Sequence, residues 1–320
     1  MFRTLLVPLD GSELAERALP YATVVAAAAG GKLVLVRAAL APPPATLDGA
    51  TWVQEQSEAI AEAEQYLAEV AAKLRTRVPV ETQVPYGRAA PCIQDSITET
   101  SADAVVMATH GRTGLRHLLV GSVAEEVIAD SPVPVFAIYA RPGEMPQPHF
   151  DPAQARVVVP LDGSDFAETA LPTAVELIGA GGEVVLVRVV EPPDHVERDE
   201  LGRVRVYLDQ QEEAVTREAR DYLHTIATQL VDKAPGLHVT VEVRLGAPAA
   251  GVNAAAIDRG ADLVIMASHG RTGLSRAVFG SVTGAVLRDG NTPVLVVHPC
   301  TPAASVALSE TLDERMAIHF

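Results

Sequence analysis

Short runs of consecutive apolar residues alternate along this chain with stretches where apolar residues recur every three or four positions. Leu5-Leu6-Val7 is the first run, and Val157-Val158-Val159 reproduces it far downstream. Runs without polar alternation mark strands buried on both faces. The same reading predicts strands at Leu33 to Val36, Val80 to Val84, Ala104 to Met107 and Val133 to Ile138. A second set falls at Val184 to Val187, Val239 to Val243, Leu263 to Met266 and Val294 to Val297. Helical spacing fills the gaps. Ile60, Ala63, Leu67, Val70 and Leu74 form one apolar stripe, and Tyr222, Leu223, Ile226 and Leu230 form its counterpart. An earlier helix is predicted from Glu13 to about Ala29, ending at Gly30-Gly31, with a partner ending near Gly179. Pro20 and Pro172 fall inside these two helices and are expected to bend them. Further helices open after Gly87 and Gly246 and before each last strand. Strand–helix alternation with continuously apolar strands implies right-handed parallel crossovers. The expected fold is α/β: two tandem open doubly wound sheets of five parallel strands each, with helices on both faces. Ligands of such sheets bind at the carboxyl ends of the strands, beside the point where the winding reverses.

The two sets of elements are one unit written twice. Val7 to Pro20 reads VPLDGSELAERALP and Val159 to Pro172 reads VPLDGSDFAETALP, identical at 11 of 14 positions. Met107 to Val123 reads MATHGRTGLRHLLVGSV and Met266 to Val282 reads MASHGRTGLSRAVFGSV, identical at 11 of 17. The first motif recurs 152 residues on (7 to 159) and the second 159 residues on (107 to 266). The second copy therefore carries seven extra residues, most simply within Glu191 to Arg205. Arg141 to Ala155, with four prolines, reads as an extended linker. The expected division is a first domain at 1–140, the linker at 141–155, a second domain at 156–300 and a tail at 301–320. Short apolar strands left as unpaired sheet edges invite aggregation, so the last strands, Val133 to Ile138 and Val294 to Val297, are expected to pair the two domains within one chain. A homodimer would be a further assembly of the same kind.

Charge narrows the ligand classes. The formal net charge of −16 argues against a nucleic-acid backbone or an anionic membrane surface as partner. Any anionic ligand must then be held by local features. Asp10 interrupts the first apolar run too early for a secretory signal, and no uncharged apolar stretch reaches membrane-spanning length. Cys92 and Cys300 have no metal or redox spacing. A cytoplasmic location is the expectation.

The chemistry gathers at predicted strand ends. Asp10-Gly11-Ser12 and Asp162-Gly163-Ser164 follow the first strand of each copy. Each aspartate is open to two readings, a helix cap or a ligand carboxylate at the mouth of a crevice. After Met107 come Ala108, two residues, Gly111, nine residues and Gly121-Ser122 at a helix start. Copy two has Ala267, Gly270 and Gly280-Ser281. Small residues admit close backbone approach, and a helix start presents free N–H groups and a positive dipole end, which together suit a phosphate. Neither copy has the GxxxxGK[ST] loop of phosphoryl-transfer enzymes. Arg112 and Arg271 follow the loop glycine, either as phosphate donors or as solvated cations. His110 and His269 precede it without a second ligand at metal spacing, which favours a loop-stabilising hydrogen bond over a metal or catalytic role. His117, found in copy one alone, reads as surface.

Together, VPLDGS, MATHGRTGL and MASHGRTGL, the GSV at the last helix, and SPVPVFAI and TPVLVVHP resemble the universal stress protein family, in a tandem form covering nearly all of both copies. The resemblance implies a Rossmann-like fold of the adenine nucleotide alpha hydrolase type. It further implies binding of ATP, AMP or ADP, with Mg²⁺, in a stress-response or regulatory role without efficient catalysis. The family's ATP-binding members carry Gly-x2-Gly-x9-Gly-[Ser/Thr]; here Ala108 and Ala267 stand at the first glycine. Carried over by position, Asp10 and Asp162 would contact adenosine. Ala38 and Val189 would line the adenine pocket with Met107 and Met266. Gly111, Gly121, Ser122 and Val123 would surround ribose and phosphates, as would Gly270, Gly280, Ser281 and Val282 in the second copy.

Overall fold

The computed structural model describes residues 2–40, 49–109, 121–139, 151, 154–178, 181–192, 197–198, 204–268 and 280–298. The tail and most of the linker, together with His110, Gly111, Arg112, His117, His269, Gly270 and Arg271, lie outside the described residues. In the first half the strands are β1 (Thr4–Pro8), β2 (Lys32–Val36), β3 (Val80–Gln83), β4 (Ala104–Ala108) and β5 (Val135–Ile138). The helices between them are α1 (Glu13–Glu16), α2 (Ala18–Ala28), α3 (Gly49–Leu74), α4 (Ala89–Thr100) and α5 (Ser122–Asp130). The second half repeats this with β6 (Arg156–Pro160), α6 (Asp165–Glu168), α7 (Leu171–Ile178), β7 (Glu183–Val190), α8 (Leu208–Lys233), β10 (His238–Leu245), α9 (Pro248–Arg259), β11 (Leu263–Ala267), α10 (Ser281–Asp289) and β12 (Val294–Val297). The extra residues of the second copy lie in two places and not in one, three between α8 and β10 (Leu230 to Leu237 against Leu74 to Val78) and five between Arg188 and Tyr222, with one residue fewer between β6 and β7. The stretch from Arg188 to Tyr222 includes two short antiparallel strands, β8 (Glu197–Arg198) and β9 (Val204–Val206).

Within each half the strands are parallel, in the orders β3-β2-β1-β4-β5 and β10-β7-β6-β11-β12. The last strands lie side by side and antiparallel, Val294 opposite Ala137, Leu295 opposite Phe136 and Val296 opposite Val135, so one ten-stranded sheet results. Alternate residues of every inner strand feed opposite faces, because successive strand side chains point to opposite sides. Leu5, Val7, Leu33, Leu35, Val106 and Ile138 join one core with Leu67 and Val70 of α3. Leu6, Val34, Val36, Val105, Met107 and Ala137 join the other with Ile93 of α4 and Val127 of α5. Burying a Leu, Ile or Val fully is worth about 1.5–3 kcal/mol, which is why these strands need no polar alternation. The edge strand β3 differs. Its pattern is half exposed, and Glu81 there pairs with Lys32 at 2.8 Å. Among the described residues, no helix is long and apolar enough to cross a membrane.

The first helix of each half is not bent at its proline but broken before it. In a continuous helix Pro20 would need an N–H to meet the Glu16 carbonyl, and its ring would clash with that carbonyl instead. The chain stops at Glu16 and restarts at Ala18, placing Pro20 in the first turn of α2, where a missing N–H costs nothing. Pro172 in the first turn of α7 repeats the solution.

Arg17, at the break, is 6% exposed, and among the described residues its Nε and Nη1 have no hydrogen-bond partner. The second copy has Thr169 there, whose hydroxyl donates to the Phe166 carbonyl at 2.6 Å. A buried guanidinium without a partner opposes folding, and an apolar replacement of similar reach commonly gains about 1–4 kcal/mol. Arg17→Leu is therefore expected to raise the urea midpoint without changing the slope of the transition. A lower midpoint would show that the guanidinium is paired in solution.

Candidate functional site

β1 lies between β2 and β4, so the crossovers that reach its two neighbours leave in opposite directions. A crevice opens where they part, at the carboxyl ends of β1 and β4. It is a cleft of about 290 Å³, near the lower limit for small-molecule sites. Seven of the residues singled out from sequence line it together: Asp10, Ala38, Met107, Ala108, Gly121, Ser122 and Val123. Ala89 and Ile93, from the first turns of α4, also line it and were not anticipated. Their only signal in the sequence is their place just after Gly87, at a helix start.

Backbone hydrogen bonds set one end of the cleft. Thr109 N–H donates to the Ile138 carbonyl at 3.1 Å, and Gly121 N–H donates to the Thr109 carbonyl at 2.8 Å. The start of α5 is thereby pinned to the end of β4, across the chain between them. Gly121 is the N-cap and makes no side-chain capping bond, so the first N–H groups of α5 stay available at the cleft. Their dipole end favours negative charge there.

The other wall carries Asp10, and the structure separates its two readings. Ser12 is the helix cap: its Oγ accepts from Ala15 N–H at 3.1 Å. Asp10 stands behind the cap, its Oδ1 accepting from Ser12 N–H at 2.9 Å and from Ser12 Oγ at 2.6 Å. One carboxylate oxygen is thus held by the turn, and the side chain lines the cleft.

The second copy builds the same parts. Asp162 Oδ1 accepts from Ser164 N–H and Oγ at 2.9 and 2.6 Å, and Ser164 caps α6. Ser268 N–H donates to the Val297 carbonyl at 2.9 Å, and Gly280 opens α10 without a side-chain cap. Ser281 is exposed, and Val282 packs partly against the core that holds Met266. Ala267 ends β11. Val189 is larger than Ala38, and Gly251 makes room for it: a Cβ at Gly251 would lie 2.7 Å from the Val189 methyls. Among the described residues no group of three or more His, Cys, Asp or Glu side chains could hold a metal ion.

A second network, unforeseen from sequence, lies on the opposite face under the Asp-Gly-Ser turn. The Arg37 guanidinium sits over the Tyr66 ring, 5.0 Å from its centroid, and Arg37 Nη2 donates to Glu62 Oε1 at 2.9 Å. Tyr66 OH donates to Glu16 Oε1 at 3.0 Å. In the second copy Arg188 covers Tyr222 at 5.2 Å, and Tyr222 OH donates to Glu168 at 2.8 Å. Burial pushes the Tyr66 phenol well above its ordinary value of 10.0, and the charge and hydrogen bond of Glu16 push it further, against a smaller pull from Arg37. Tyr222 is raised likewise, by burial first and then by Glu168. The repetition of Arg37, Tyr66 and Glu16 in both copies is the signal that would have found them.

The profile of the universal stress protein family matches residues 1–138 and again 155–298. The chain belongs to the universal stress protein family. Among its relatives, universal stress protein Rv2005c of Mycobacterium tuberculosis is 28% identical over 257 residues, covering 80% of this chain and 82% of that protein. Universal stress protein MJ0577 of Methanocaldococcus jannaschii is 31% identical over 154 residues, 44% of this chain and 93% of that protein. A solved universal stress protein from Archaeoglobus fulgidus superposes over 93% of this chain and 99% of its own, with a TM-score of 0.68 and 23% identity, which speaks to the fold. The tandem, Rossmann-like architecture is therefore shared with the family.

The raised phenols carry a pH consequence. A tyrosine whose folded pKa exceeds its unfolded value of 10.0 favours the native state fully below pH 10 and loses that contribution as the pH rises above it. In an ultraviolet difference titration, Tyr66 and Tyr222 are expected to ionise only with alkaline unfolding, and Tyr66→Phe to soften the alkaline loss of stability. Ionisation of all six tyrosines near pH 10 in the folded protein would contradict this.

Proposed function

We propose that each domain, 1–140 and 156–300, binds one adenine nucleotide, with ATP the first candidate and AMP or ADP alternatives, and that the chain serves the stress response as a cytoplasmic nucleotide-dependent regulator. The observation that carries this reading is the uncapped start of α5 at Gly121, facing a cleft whose far wall holds a braced carboxylate. Asp10, Ala38, Met107 and Ala108 would hold the adenosine part, and Gly111, Arg112, Gly121, Ser122 and Val123 the ribose and phosphates. Asp162, Val189, Met266 and Ala267 would do the first task in the second domain, with Gly270, Arg271, Gly280, Ser281 and Val282 the second. Mg²⁺ would arrive with the phosphates and offset the repulsion expected from a protein of net charge −16. Ser122 and Ser281 are the hydroxyls placed at the helix starts that could face it. The two domains, joined through their last strands, would act as one paired unit.

The same site supports binding without efficient chemistry. Phosphoryl transfer at roughly 1–100 per second uses a positioned base and charge clamps. Near the start of α5, Glu126 is engaged by Arg88 at 3.4 Å, and the second copy has Ala285 in its place. A site that grips ground state and transition state alike yields affinity without rate.

Gly121→Asp and Gly280→Asp test the nucleotide reading site by site. At Gly280 a new Cβ would, among the described residues, meet nothing closer than Thr283 Oγ1 at 4.0 Å, so the substitution places an anion at the proposed phosphate space with no clash against the described residues. Calorimetric titration with Mg-ATP is expected to show two equivalents for the parent chain, one for each variant and none for the double variant. The affected site should weaken by about two decades or more, about 2.7 kcal/mol. No saturable heat from the parent chain at millimolar ATP would overturn the nucleotide reading and leave a partner-binding module of the same fold.

A further inference from the structure

We propose that Arg37 and Arg188 are positioning residues for the two clefts, each propping the Asp-Gly-Ser turn from the face of the sheet opposite its cleft. The proposal rests on the nucleotide reading above and assigns a role to side chains that touch no part of the cleft. Val36 and Ala38 line the cleft, so the residue between them must point to the other face of the sheet. There the guanidinium lies directly beneath the turn: a Cβ at Gly11 would stand 3.5 Å from Arg37 Cζ, and one at Gly163 would stand 3.3 Å from Arg188 Cζ. Both glycines have left-handed backbone, φ +83° and +91°, so the turn is shaped by the only residue type that adopts this conformation freely. The guanidinium is planar and rests on a tyrosine ring, and that ring is tied to the helix the turn begins. Contacts therefore run in a closed circuit from β2 through Arg37, Tyr66 and Glu16 to the Ser12 cap and Asp10.

A bland alternative is that the circuit only fastens the long helix to the sheet. Two observations favour the positioning role. Arg37 is 16% exposed while its ion-pair partner Glu62 is 74% exposed, so the pair itself contributes little and the ring and turn contacts dominate. The second copy also rebuilds the arginine, tyrosine and glutamate circuit although Arg188 and Tyr222 stand 34 positions apart against 29 for Arg37 and Tyr66. What the two circuits share is the turn above them, and that turn holds one oxygen of Asp10 or Asp162 by Ser12 or Ser164. A loosened turn would spread the carboxylate over several positions and weaken its hold on adenosine, leaving the helix start that faces phosphate as it was.

That difference supplies the test. In full-length Gly280→Asp protein, where the first cleft alone remains, Arg37→Met is compared with the parent for Mg-ATP and for inorganic tripolyphosphate. The expected result is about tenfold weaker ATP binding with unchanged tripolyphosphate binding. Tyr66→Phe, which keeps the ring but cuts the tie to Glu16, should weaken ATP alone by a smaller factor. In the Gly121→Asp background, Arg188→Met should act on the second cleft in the same way. Equal losses for both ligands would show a merely structural role, and unchanged ATP affinity would show no role; either outcome overturns the proposal. If the Gly280→Asp protein binds no ATP before Arg37 is altered, the nucleotide reading of the first cleft fails, and this inference fails with it.

Discussion

The right-handed sense of parallel crossovers decides where this molecule can hold a ligand. A strand that continues the winding on one side is covered by its own connection. β1 alone in the first half, and β6 in the second, has neighbours reached by connections that diverge. At that edge the backbone ends of β1 and β4 stand side by side and open into the cleft. Everything else at the site is an adaptation to this gap. The Ser12 cap turns the chain away from it, Thr109 fastens the start of α5 to its rim, and Ala38 and Ala108 keep its walls low. Asp10 and the α5 N-terminus then face each other across it with opposite electrostatic character.

How much of this could be read from residues alone follows from how local each determinant is. The strands were legible because burial on both faces writes an unbroken apolar run, and the long helices because one buried face writes a stripe of three and four. The glycine, serine and aspartate positions were legible because they fall immediately at strand ends. The helix break differs from the expected bend: Pro20 falls inside the stretch predicted as one helix from Glu13 to about Ala29, but the carbonyl of Glu16 cannot share space with its ring. The Arg37–Tyr66–Glu16 circuit left only its repetition in the second copy as a signal, because it joins a strand end, a distant helix and a turn. Only the register of α3 on β2 brings them together. Asp10 and Asp162 had two meanings in the sequence, and Ser12 and Ser164 take the capping one.

The two copies have not drifted evenly. Val189 packs against Gly251 where the first copy has Ala38 and Cys92 at the matching positions. Thr169 satisfies its hydroxyl locally where Arg17 buries a charge. A small antiparallel pair of strands decorates the second domain. Change of this kind lies around the clefts, whereas the turns, the uncapped helix starts and the circuits beneath them are kept in both.

The antiparallel pairing of β5 with β12 turns an encounter between two bodies into a property of one chain. Two separate domains of this kind would part on dilution, since association depends on concentration. Here the partner is tethered, and the cost of bringing it into place is a loop closure that grows only slowly with linker length. The ratio of one first cleft to one second cleft is therefore set by translation and not by how much protein a cell contains. Because the pairing reverses strand direction, the carboxyl ends of the two sheets point to opposite edges. The cleft of the first half and the matching turn and helix start of the second thus lie at opposite edges of one sheet, at a ratio fixed from the first copy synthesised.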